Sequence, residues 1–157
     1  MIAEVLRSDL NQPWGMAILP DGRALIPENP GRLARLALPG GDPLGEISGV
    51  PAVAEVGQGG LLDVAVGSDF AVEPWVYLSY AVEADGRYGT EVGRGRLRGQ
   101  HLEDFTTLFV AQPKMPGGHH FGSRLVFAPS GHLYITLGDR GERDEAQRLS
   151  SHLGSVV

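Results

Sequence analysis

The stretch Gly15-Met-Ala-Ile-Leu-Pro-Asp-Gly22, followed by Arg23-Ala-Leu-Ile26, reads as an apolar strand, a Pro-x-Gly turn and a second apolar strand. The same layout returns at Arg124-Leu-Val-Phe-Ala-Pro-Ser-Gly131, followed by His132-Leu-Tyr-Ile135. A looser copy runs from Leu62 to Phe70 and then from Trp75 to Tyr80, with a longer loop between. Starting points near 16, 62 and 125 are about 46 and 63 residues apart, a spacing that suits four-stranded blades of a β-propeller carrying insertions. A β-sandwich built from ordinary hairpins is the competing architecture, because Pro-x-Gly hairpins are common in both.

Outward from these hairpins the chain keeps the same character. Glycine and proline total 34 of 157 residues, and only four windows longer than ten residues lack both: 1–12, 75–85, 100–112 and 142–153. Long helices have little room. Further short strands are expected over 33–38 and 107–110, so the fold class is all-β. Over 142–153, Glu142, Asp144 and Glu145 precede Arg148 and His152 in the order a helix dipole favours, which predicts one or two helical turns.

Composition narrows the function classes. The net charge is −6, with 13 Lys+Arg against 19 Asp+Glu and no cationic run, which argues against a nucleic-acid or anionic-membrane surface. The absence of cysteine excludes disulfides, thiolate metal sites and Cys nucleophiles. No apolar run reaches the length of a membrane span, and the first residues do not read as a signal peptide. Trp14 and Trp75 have the placement of aromatics filling the gap between blades. Arg94, Arg96 and Arg98 alternate along one face, expected to be a solvated sheet edge. Asp63 and Asp69 lack the spacing of a calcium loop, so no metal site is expected here.

A propeller needs at least four blades to close, and at roughly 50 residues per blade this chain supplies about three. The expectation is therefore an incomplete amino-terminal portion, 1–157, of a longer propeller domain, with two to three four-stranded antiparallel blades. Open blade edges would invite pairing with another copy.

Seven motifs carry a resemblance to a known family: Leu10 to Gly22, Glu28-Asn-Pro-Gly-Arg32, Gly57-Gln-Gly-Gly-Leu-Leu-Asp63, Asp69-Phe70, Val76-Tyr-Leu-Ser-Tyr80, His120-Phe-Gly-Ser-Arg124 and Gly138-Asp-Arg140. In this order they resemble the soluble quinoprotein glucose dehydrogenase and aldose sugar dehydrogenase family. The resemblance implies a six-bladed propeller that binds pyrroloquinoline quinone (PQQ) and oxidises the anomeric carbon of aldose sugars in the bacterial periplasm with calcium. It implies, too, that the calcium ligands and the cations gripping the quinone carboxylates come from later blades. The electron acceptor and the particular sugar are not legible. Asn29, Gly67-Ser68 and Ser155 depart from the family pattern, where Arg, His-Pro and Lys are usual.

Removing a hydride from a sugar C1 requires a base for the hydroxyl proton, and histidine suits that task near neutral pH. His120 matches the family's base, and Asp139 is placed to orient its imidazole and stabilise the imidazolium. Gln58, among glycines, can both donate to and accept from sugar hydroxyls, and the resemblance puts it in the substrate and cofactor pocket. His119 stands where relatives carry Asp or Asn against the sugar, so it is a substrate contact or a solvent-facing residue. Arg124 is either a cofactor contact or a structural donor to carbonyls. Gln147 aligns with a cofactor-pocket position, with Asp144 as the alternative. A non-catalytic propeller module for binding or interaction is the other class of function consistent with these residues.

Overall fold

A computed structural model describes residues 3–157. Ten strands follow one another: β1 Ala17–Ile18, β2 Arg23–Glu28, β3 Arg32–Ala37, β4 Pro43–Ile47, β5 Leu61–Val66, β6 Trp75–Ala84, β7 Arg87–Arg98, β8 His101–Val110, β9 Gly122–Phe127 and β10 Leu133–Leu137. A 3₁₀ helix over Arg143–Gln147 follows them. The sheets are β1-β2-β3-β4, β5-β6-β7-β8 and the hairpin β9-β10, all antiparallel between neighbours. Ser155 to Val157 add a partner to β10: Leu137 N donates to Ser155 O at 2.8 Å, and Ile135 and Val157 exchange backbone hydrogen bonds at 2.8 and 3.0 Å.

The three repeated hairpins thus open three separate sheets instead of joining one. Each starts its blade, as the repeat spacing predicts, and the sandwich alternative is excluded. The chain forms two complete propeller blades and the inner part of a third.

The blades pack face to face through their strand side chains. Leu25, Leu33 and Ile47 of the first blade interdigitate with Leu61, Val76, Leu78 and Leu102 of the second. Val92 of the second meets Leu125, Ile135 and Leu137 of the third. Burying one such side chain stabilises the fold by about 1.5–3 kcal/mol, so these seams dominate the stability.

Two sequence expectations are corrected. The strand bearing Arg94, Arg96 and Arg98 is no sheet edge: β7 lies between β6 and β8. Nor does Trp75 fill an inter-blade gap. It is half-buried outside the core, with the guanidinium carbons of Arg94 and Arg96 over its ring at 4.2 and 4.6 Å. Cation–π contact with stacked arginines replaces hydrophobic burial there. Trp14 does behave as expected, packing against the buried cluster of Leu62, Ala81 and Phe121.

A polar clasp joins the inner strands of the second and third blades to the segment that enters the first. The Asp63 carboxylate of β5, 4 % exposed, accepts from Leu125 N and from Arg124 Nη1, both at 2.9 Å. Arg124 Nη2 in turn donates to Trp14 O at 2.9 Å. Gly15 must be glycine for this arrangement, since a Cβ there would stand 2.1 Å from Asp63 Oδ1.

Candidate active site

In an antiparallel meander, successive connections alternate between the two ends of a blade. Gln58 in the β4–β5 connection, His119 and His120 in the β8–β9 connection, and Asp139 after β10 therefore gather at one end.

His120 is the centre of the group. Its Nδ1 lies 2.8 Å from Asp139 Oδ1. The carboxylate can only accept, so Nδ1 carries the proton, and the neutral ring's lone pair sits on Nε2. The His120 side chain is 55 % exposed, which leaves Nε2 open to an incoming hydroxyl. Asp139 also accepts from Gly141 N at 2.9 Å. This backbone donor first, and His120 second, hold the Asp139 carboxyl below the usual aspartate range, keeping it ionised.

The backbone at His120 adopts φ +54°, a left-handed conformation that costs a non-glycine residue about 1 kcal/mol or more. Three features impose it. Gln58 Oε1 accepts the His120 N–H at 2.8 Å, and Gln58 N donates to Gly118 O at 2.6 Å. Gly138 lies so close that a Cβ would stand 1.9 Å from His120 O. Arg140, 4 % exposed and itself at φ +56°, lies beneath the loop. Its guanidinium donates to His119 O at 2.6 Å, to Tyr88 O at 2.8 Å and to Gly117 O, and stacks 3.7 Å from the Phe121 ring centre. Burial lowers the Arg140 pKa, but arginine stays cationic throughout the working pH range.

The structure brings Gln58, His119, His120 and Asp139 together, with the two imidazoles edge to face at 4.9 Å. Arg124 is committed to Asp63 and Trp14 O, although 54 % of its side chain is exposed. Asp144 and Gln147 lie exposed on the 3₁₀ helix, and neither side chain has a hydrogen-bond partner among the described residues. Sequence reading missed the part played by Arg140. The signal available was its place in Gly-Asp-Arg beside Asp139, but its acceptors lie 21 to 52 residues away. Among the described residues no group of three or more His, Asp or Glu side chains is placed to hold a metal ion.

Gln58 uses its oxygen on His120, which leaves its amide hydrogens without a protein acceptor among the described residues. An exposed base beside free amide donors fits the carbonyl edge of a quinone and a sugar hydroxyl. Cations for the quinone carboxylates are less in evidence, since Arg140 is buried and Arg124 is held by Asp63.

Fold and site together define a β-propeller that presents a carboxylate-oriented histidine at one end of its blades. The glucose/sorbosone dehydrogenase family model matches residues 10–157, and the chain belongs to that family. It is 43 % identical to the aldose sugar dehydrogenase YliI of Escherichia coli over 98 % of this chain and 42 % of the relative. The crystal structure of the soluble aldose sugar dehydrogenase of E. coli in its apo-form superposes with a TM-score of 0.92 at 44 % identity, covering 98 % of this chain and 45 % of the other. The PQQ-bound form of an aldose sugar dehydrogenase from Streptomyces coelicolor superposes with a TM-score of 0.86 at 27 % identity, covering all of this chain and 47 % of the other. The chain spans less than half the length of these relatives. No helix among the described residues is long and apolar enough to cross a membrane.

Proposed function

We propose that this chain supplies the catalytic base of a PQQ-dependent aldose sugar dehydrogenase, acting at the anomeric carbon. The observation that carries this reading is the 2.8 Å contact of His120 Nδ1 with Asp139, which puts the neutral ring's lone pair on Nε2 of a half-exposed side chain. The PQQ-bound relative supports the choice of cofactor.

His120 Nε2 takes the proton of the C1 hydroxyl while the C1 hydride departs and a carbonyl forms at C1. PQQ, when bound, supplies the two-electron acceptor for that hydride. Asp139 balances the imidazolium as it forms and keeps the ring from turning. The Gln58 amide orients the sugar or the quinone edge, and His119, beside His120, contacts the sugar. The exposed part of Arg124, and Gln147 or Asp144, are the remaining polar side chains through which this chain would touch the cofactor. Calcium and the cations that neutralise the quinone carboxylates belong to parts of the dehydrogenase beyond these blades, and the periplasmic setting is part of the same proposal.

The test is single-turnover reduction of the quinone by aldose, followed by absorbance in a full-length dehydrogenase carrying this sequence. Aldose-dependent reduction that His120→Gln suppresses is expected. An unchanged rate in that variant would overturn the reading and leave a binding module as the alternative.

A further inference from the structure

At the other end of the blades, away from His120, the β1–β2, β5–β6 and β7–β8 connections surround a cavity of about 490 Å³. Its walls include Phe70, Pro74 and Leu97, and its polar groups include Asp21, Arg23 and Arg35. Two of the charges cancel: Arg23 Nε donates to Asp21 Oδ2 at 2.8 Å. The third does not. Arg35, on β3, is 8 % exposed and donates to Gly99 O and Leu44 O, both at 3.1 Å. Its Nε is buried without a hydrogen-bond partner, and no carboxylate among the described residues pairs with it.

A buried guanidinium answered only by carbonyl dipoles is a charge short of its counterion. Here it lines a cavity of ligand size with mixed apolar and polar walls.

We propose that this cavity binds a small monocarboxylate with an apolar body, its carboxylate against Arg35 and its body against Phe70, Pro74 and Leu97. The charge count selects a monoanion: one uncompensated cation is available, and a dianion such as phosphate would keep one charge unmatched. The apolar walls select a hydrocarbon body over a bare inorganic ion. The site is independent of the dehydrogenase chemistry, since it stands on different connections at the opposite end of the blades.

Benzoate titrated into the ¹⁵N-labelled chain tests this, with benzamide and inorganic phosphate as controls. The Arg35 Nε–H signal and the Ala71 and Gly99 amides should shift saturably with benzoate and not with either control. Arg35→Gln should weaken benzoate binding about tenfold or more, whereas the double variant Asp21→Asn/Arg23→Gln, which removes the cancelling pair together, should keep the parent affinity within about twofold. If Arg35→Gln does not fold, the double variant decides. No saturable shift with benzoate, an equal response to benzamide or phosphate, or loss of benzoate binding in the double variant would each overturn the proposal.

Discussion

The side-chain oxygen of Gln58 accepts the backbone N–H of His120 at 2.8 Å, across 62 residues of sequence. The connection entering the second blade thereby fixes the backbone conformation of the residue that leads into the third. Gln58 thus holds the His120 backbone by protein contacts alone, and its amide hydrogens have no protein acceptor among the described residues.

On the proposed function, replacing His120 with Gln in a full-length protein carrying this sequence is expected to slow quinone reduction by about 100-fold or more, the usual contribution of a positioned base. Asp139→Asn should also slow reduction while leaving cofactor affinity intact, because it disturbs ring orientation and charge and not the pocket. Stopped-flow absorbance with a separate PQQ titration distinguishes rate from binding.

Gln58→Ala should separate from both. Loss of its oxygen frees His120 from its imposed backbone conformation, so quinone reduction should fall with cofactor supplied at saturation. Gln58→Glu keeps an acceptor for the His120 N–H but loses the amide donors. It should retain the His120 backbone amide shift seen in the parent, whereas Gln58→Ala should not. Backbone NMR of the two variants checks this.

The Asp139 carboxyl should titrate below a free aspartate in a carboxyl ¹³C experiment. Because its folded pKa is depressed, its contribution to stability is fully present above the unfolded-state pKa and is lost as pH falls through the folded one. His120→Gln should raise the midpoint only partway, since the Gly141 N–H, the larger cause, remains.

Arg140→Met should cost about 3 kcal/mol or more in urea denaturation. It leaves the carbonyls of Gly117, His119 and Tyr88 without their donor, each at about 1–3 kcal/mol if it stays buried. Arg140→Lys should recover only part, because an ammonium cannot span three acceptors in one plane. Gly138→Ala should likewise fold less stably, by about 1–3 kcal/mol of overpacking, and should lose the His120–Asp139 hydrogen bond in ¹H NMR.

The hairpins were legible because Pro-x-Gly turns bracket short apolar runs, as at Pro20 to Gly22 and Pro129 to Gly131. Strands β4 and β7 were much less so. Pro43 and Gly45 disguise β4, and Gly89, Gly93 and Gly95 hide the length of β7, of which only the Arg94 to Arg98 alternation reads as a strand. The structure shows what those glycines are for: a Cβ at Gly93 or Gly95 would stand 2.6 or 3.2 Å from the ring of Phe105 on the neighbouring strand. His120 and Asp139 stood out through their motifs. The Gln58 tie to a backbone amide and the Arg140 contacts to three carbonyls leave no side-chain pattern, because backbone groups are present at every residue. Arg124 stayed ambiguous for the same reason, as one of its two acceptors is the carbonyl of Trp14.

Repeat architectures often come apart module by module, since each unit touches only its neighbours. The Asp63 carboxylate works against that here. Through Leu125 N and Arg124 it engages the third blade, and Arg124 passes the link to Trp14 at the entry to the first. Parting the second and third blades would strand the Asp63 carboxylate in the seam, so their opening meets that electrostatic cost, whereas parting the first gives up only the bond from Arg124 to the Trp14 carbonyl. The second and third sheets should therefore melt together, with hydrogen exchange slowest at the inner strands β5 and β9 that this one buried charge holds in common.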